Sequence, residues 1–72
     1  MTELELWNAY KKIECRYSQI KLNNGKVVQG YPVIFTKAID NDPEVAEIDI
    51  EDKTGQLHGY LQTEIEAIEV LE

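Results

Sequence analysis

The sequence predicts a mainly β domain: an N-terminal α-helix followed by a five-stranded, bent antiparallel barrel. Three observations predict it. Near the N-terminus, apolar residues recur at helical spacing, at Leu6, Tyr10 and Ile13. From Ser18 onward the period changes to two. Turn signals built on Asn, Asp and Gly then cut the rest of the chain into runs of strand length. With 72 residues there is room for one domain, spanning 1–72, with the helix over about 3–13 and the barrel over about 18–71. A chain of this size buries only roughly 60% of its unfolded surface, so a stability of a few kcal/mol is expected.

The helix has a start signal. Thr2-Glu3-Leu4-Glu5 fits a capping box, in which the Thr hydroxyl and the Glu carboxylate each accept the other's exposed amide. Acids lead and Lys11 and Lys12 trail, which suits the helix dipole. Tyr17 extends the helical spacing of the stripe, and Trp7 stands beside it. These aromatics read as core in preference to a platform for stacked bases. A helix this short is marginal in water and must pack on something.

In the first strand Ser18, Ile20 and Leu22 face one way, and Gln19 and Lys21 the other. Asn23-Asn24-Gly25 is a turn, because Asn and Gly tolerate positive φ. The second strand begins at Lys26 and reaches about Thr36. Its stretch LNNGKVVQGYPVIF contains two glycines and a lysine, which raises the question of a phosphate loop. That loop needs GxxxxGK[ST] running into a helix; here Tyr31 follows the second glycine and no helical pattern comes next. Gly30 and Pro32 instead mark a bend, allowing one long strand to serve both halves of a small barrel.

Asp40-Asn41-Asp42-Pro43 is a turn, and Ala46, Ile48 and Ile50 alternate with Glu47, Asp49 and Glu51 in a third strand. Asp52-Lys53-Thr54-Gly55 is a hairpin loop. The fourth strand runs from Gln56 to Leu61, with Leu57, Gly59 and Leu61 on one face and His58 and Tyr60 on the other. Thr63-Glu64-Ile65 is a one-turn connector, and Ala67 to Leu71 is the fifth strand. The expected core includes Ile20, Leu22, Val28, Ile34, Ile48, Leu57 and Ile68.

Seven basic and fourteen acidic residues give a net charge of −7. That balance argues against nucleic acid and anionic membranes as partners. Lys11, Lys12, Arg16, Lys21 and Lys26 fall in the first 26 residues, while the stretch from Asp40 onward carries Lys53 alone among many acids. An acidic C-terminal half suits a basic protein partner. The apolar runs are far shorter than the roughly 20 residues that span a bilayer, and MTELELW lacks the basic and apolar regions of a signal peptide. A cytoplasmic location is expected.

Motifs for chemistry are lacking. Cys15 has no Cys partner for a disulfide or a Cys/His zinc site, and reads as a half-buried small residue. His58, the single histidine, reads as a strand residue beside Tyr60. The acids from Asp40 to Asp52 miss the calcium-loop pattern, since Val45 stands where Gly is required. No catalytic residue, cofactor or metal site is predicted, and the chain is not expected to be an enzyme.

The segments IKLNNGKVVQG (Ile20 to Gly30) and LHGYLQTEIEAIEVL (Leu57 to Leu71), with the helix before and the one-turn link between the last strands, resemble the Sm-like family of small SH3-like barrels. The resemblance covers most of the chain from Ser18. It implies ring assembly and binding of uridine-rich RNA through an Asp and an Asn after the bent strand. Here Asp40 and Asn41 are adjacent instead of separated, and the final loop, Gln62-Thr63-Glu64, is acidic. A looser similarity, carried by Cys15 and IKLNNGK, is to small acidic Sm-like inhibitors of the Rho terminator, which bind a protein. The expectation is a small acidic module that recognises a protein partner, with an Sm-like RNA-binding protein as the alternative. Glu64, Glu66 and Glu69, on and beside the fifth strand, are the candidate partner-binding residues, and their charge favours a monomer or weak dimer over a ring.

Overall fold

A computed structural model describes residues 1–72. Its elements are α1 (Glu3–Ile13), β1 (Ser18–Leu22), β2 (Val27–Thr36), a 3₁₀ turn (Ala38–Asp40), β3 (Glu47–Glu51), β4 (Leu57–Leu61), a second 3₁₀ turn (Gln62–Glu64) and β5 (Ile65–Val70). The strands form one antiparallel sheet in the order β4-β3-β2-β1-β5. β4 and β5 are its two edges and do not pair, so the sheet curls without closing.

The capping box forms: the Glu5 amide donates to the Thr2 hydroxyl at 3.1 Å and the Thr2 amide to the Glu5 carboxylate at 2.8 Å. Leu6, Tyr10 and Ile13 are buried against the sheet. Trp7 lies at the rim, with its ring 5.0 Å from that of Phe35. Tyr17 leaves the stripe after the helix ends and packs instead on Tyr31 at 5.1 Å. Cys15 is exposed, contrary to expectation, and takes a left-handed φ of 61° just past the helix end. Its amide donates to the Pro32 carbonyl at 2.9 Å, which anchors the backbone while the thiol points outward.

β2 bends as the glycine and proline suggest. Its first part, Val27 to Gly30, pairs with β1, and its second part, Tyr31 to Thr36, pairs with β3. Gly30 allows the close approach. A Cβ there would strike the Ile50 side chain and lie 2.6 Å from the Glu51 carbonyl oxygen. A register shift between Pro32 and Ile34 then inserts Val33 as a bulge. Pro32 and Phe35 are three residues apart, so unbroken alternation would place them on opposite faces. The bulge turns both toward the core and leaves Ile34 outside, 42% exposed.

β5 uses the same device. Ile65 pairs with Leu22 and Ala67 with Lys21, so Glu66 is the extra residue. Ile65, expected in the connector, is fully buried, and Ile68 also packs on the core. The core is built from Leu6, Tyr10, Ile20, Leu22, Ala46, Ile48, Ile50 and Ile65, flanked by Val28, Phe35, Tyr60 and Ile68.

Two expected core residues are corrected: Ile34, displaced by the bulge, and Leu57, which is 50% exposed. The register of β3 with β4 sets Ile48 opposite Tyr60 and Ile50 opposite His58. Opposed residues share a face, so Tyr60 follows Ile48 inward and Leu57 follows Glu51 outward. The hairpin turn holds this register. Asp52 Oδ1 accepts from the Thr54 amide, the Thr54 hydroxyl and the Gln56 amide, and Oδ2 lies 2.7 Å from His58 Nε2.

Candidate protein-binding surface

The outer face of the sheet and its two free edges carry the acids. Glu64, Glu66 and Glu69 lie on or beside the β5 edge as expected, but they are in three different situations. The Glu64 carboxylate accepts the Leu61 amide at 3.0 Å and so braces the turn before β5. Glu66, at the bulge, pairs with Lys21 at 3.2 Å across the outer face. Glu69 stands opposite Gln19 without an ion-pair or hydrogen-bond partner. Glu72 is also engaged, accepting the Tyr17 amide at 2.6 Å.

A second acidic row lies on β3, where its strict alternation resembles any solvated strand. Ile48 and Ile50 point inward, and Glu47, Asp49 and Glu51 outward. Their neighbours are Thr36, Ile34 and Tyr31 on β2, and Leu61, Gly59 and Leu57 on β4. No cation pairs with this row; the molecule's ion pairs are Lys21 with Glu66 and His58 with Asp52.

Gly59 shapes the row. With no side chain there, the carboxylates lean over β4. Glu47 Oε2 is 2.5 Å and Asp49 Oδ1 3.2 Å from the point a Cβ would occupy. Asn41 steers this from the preceding loop, its amide donating to Glu47 Oε1 at 3.2 Å and to the Val45 carbonyl at 2.9 Å. Asp49 Oδ1 is shielded from water and has no hydrogen-bond partner. Burial, then the Glu47 carboxylate beside it, raises the pKa of Asp49 above the ordinary carboxylate range. The opposite holds at Asp52, where the Thr54 hydroxyl, His58 and then backbone amides hold the carboxyl well below its usual value. The signal for this row in the sequence is an acid–Ile–acid–Ile–acid alternation opposite a strand with glycine at its middle.

The β4 edge is open. The Asp52 amide donates to the Gln56 carbonyl and the Gln62 amide to the Ala46 carbonyl, at either end of the β3–β4 pair. Antiparallel bonding alternates, so the amides and carbonyls of Leu57, Gly59 and Leu61 point away from β3. Glu64 takes the Leu61 amide, leaving those of Leu57 and Gly59 unpaired. Beside this edge is a gap of about 420 Å³, bounded by Gly59, Tyr60, Thr63 and Glu64 on one side and by Leu22, Asn23 and Asn24 on the other. A separate groove of about 240 Å³ lies between Leu4 and Trp7 of α1 and Phe35 of β2.

The lysines are dispersed: Lys11 and Lys12 on α1, Lys21 on β1, Lys26 in the first turn, Lys37 after β2 and Lys53 in the β3–β4 hairpin, over the Tyr17 ring at 5.2 Å. Lys11 sits over the Trp7 ring at 5.3 Å. No family model, curated protein or solved structure matches the chain.

Proposed function

We propose that the chain is a non-enzymatic binding module that recognises a basic protein partner through its acidic outer face and free strand edges. The observation that carries this reading is the row Glu47, Asp49 and Glu51, with no opposing cation, beside an edge that has no strand paired to it. Unpaired edges are templates for another chain, and an uncompensated charge row selects the sign of that chain. An Sm-like relationship is supported by the bent β2 and by the single turn between β4 and β5. Uridine-rich RNA has less support as the ligand. Asn41 is engaged with Val45 and Glu47, and the final loop presents Glu64.

The test is affinity capture from the native cell at two salt concentrations, with and without ribonuclease. A protein partner retained after ribonuclease and released as salt rises is expected, because screening shortens the reach of surface charge to about 8 Å at physiological ionic strength. Reversing Glu66 and Glu69 to lysine examines the β5 side of the surface, and reversing Glu47 and Glu51 the β3 side; at least one pair should lose capture. Capture that disappears with ribonuclease would overturn the reading.

A further inference from the structure

We propose that the free edge of β4 accepts an extended segment of a basic partner protein as an added antiparallel or parallel strand, with a cationic side chain of that segment reaching the Glu47 and Asp49 carboxylates above Gly59. The proposal rests on the reading of the chain as an acidic protein-binding module and specifies where and how the partner sits.

Three observations converge on this edge. The first is backbone supply. Leu57 and Gly59 present unpaired amides and carbonyls at every second position, which is the pattern an incoming strand needs. The second is charge. The carboxylates of Glu47 and Asp49 lean over Gly59 toward the edge, and Asp49 Oδ1 is shielded without a partner. An added strand runs about 4.8 Å from β4, within reach of a lysine or arginine side chain standing opposite Gly59. A shielded carboxylate oxygen with no donor is costly, and a charge-assisted hydrogen bond from such a side chain would satisfy it. The third is space. The gap of about 420 Å³ lies alongside the same edge, next to Tyr60, and can receive side chains on the other face of the added strand.

The β5 edge lacks this combination. Its acids include Glu66, already paired with Lys21, and Glu64, already bonded to the Leu61 amide. No glycine opens a lane across β5. The partner is therefore expected to prefer β4, and its segment to alternate cationic with apolar or β-branched residues.

The test uses the full chain and two fluorescent probes: an eight-residue peptide of alternating lysine and valine, and the same peptide N-methylated at alternate amides. Methylation removes ladder donors and leaves the charge intact. The unmodified peptide is expected to slow hydrogen exchange at the Leu57 and Gly59 amides, and the methylated one to bind at least tenfold more weakly. Asp49→Asn, which keeps the shape of the side chain, should weaken the unmodified peptide several-fold. Gly59→Val, which fills the lane but keeps the strand, should do the same. Equal binding of both peptides would overturn the proposal while leaving the acidic-surface reading standing, since charge alone would then account for association. Protection at Ile68 and Val70 on β5 would overturn it in favour of the other edge. Protection of Leu57 and Gly59 that rises with protein concentration and without peptide would assign the edge to a second copy and overturn it too. No binding of either peptide at low salt would count against both readings.

Discussion

Gly30 shows how much a single missing side chain contributes. The bend in β2 brings its backbone against β3, and a methyl group at this position would meet the Ile50 side chain and the Glu51 carbonyl. The carbonyl belongs to a paired strand and has little freedom to move. Gly30→Ala is therefore expected to destabilise the chain by about 1–3 kcal/mol, the usual cost of overpacking, measured by urea unfolding. Gly59→Ala makes the informative contrast. The added methyl there meets the far end of the Glu47 side chain, which can swing away, so the loss should be smaller. Asp49 gives a pH-dependent prediction. Around it stand Glu47 and Glu51 on its own strand, Ile34 on β2, Gly59 on β4, and the Asn41 amide bound to Glu47, with no cation among them. Its folded-state pKa is raised, so between the unfolded and folded pKa values the folded chain holds a proton that the unfolded chain releases. Stability from this site is fully present below the unfolded pKa and is lost as pH rises through the folded one. Asp49→Asn should then stabilise the chain at neutral pH by about 0.5 kcal/mol, a small effect because the residue as a whole is only half-buried, although Oδ1 itself is shielded. The gain should shrink in acid unfolding curves as the wild-type carboxyl becomes protonated.

At the scale of elements, α1 combines a strong local start with a tertiary anchor. The capping box satisfies exposed amides at its N-terminus, and Leu6, Tyr10 and Ile13 bury its inner stripe. Thr2→Ala removes the hydroxyl acceptor of the Glu5 amide. A loss of about 0.5–2 kcal/mol is expected, read as a lower midpoint in thermal or urea unfolding. The Glu5 carboxyl is held below its usual pKa, first by the Thr2 amide and then by its hydroxyl. Its share of the cap is therefore present above the unfolded pKa and fades as pH falls through the folded one. The two bulges act on β2 and β5 in the same way. Each inserts one residue, Val33 or Glu66, and so turns inward apolar residues that lie an odd number of positions apart. These bulges explain why Ile34 is outside and why β5 begins at Ile65, two residues before the alternation alone suggests.

At the scale of the molecule, an open sheet has two edges and an acidic outer surface. Glu69 on β5 and the β3 row beside β4 put like charge near both edges, so copies of the chain repel where they would pair. A monomer or weak dimer is expected in sedimentation at micromolar concentration and physiological salt. A stable hexamer or heptamer would contradict it. Raising the salt should favour any residual self-association, because screening removes the repulsion first.

The helix over Glu3–Ile13, the change of period at Ser18 and the bend at Gly30 and Pro32 were legible in the sequence, because each depends on local chemistry: a capping pair, an alternation, a residue without Cβ. The same is true of the turn at Asp52, whose side chain bonds its own loop. The faces of β4 were not legible. Leu57 and Leu61 look more apolar than His58 and Tyr60, and only pairing with β3 decides that Tyr60 goes inward. The outward row on β3 was visible as alternation, but nothing in its own residues separates a solvated strand from a recognition surface. That distinction depends on what lies across the ladder. Gly59 comes to rest beneath Glu47 and Asp49, twelve and ten residues away in sequence, and leaves their carboxylates room to lean toward an open edge. Local spacing determined the elements of this protein, and long-range register decided which of their faces meets the core and which meets solvent, because a one-residue shift in pairing exchanges the two.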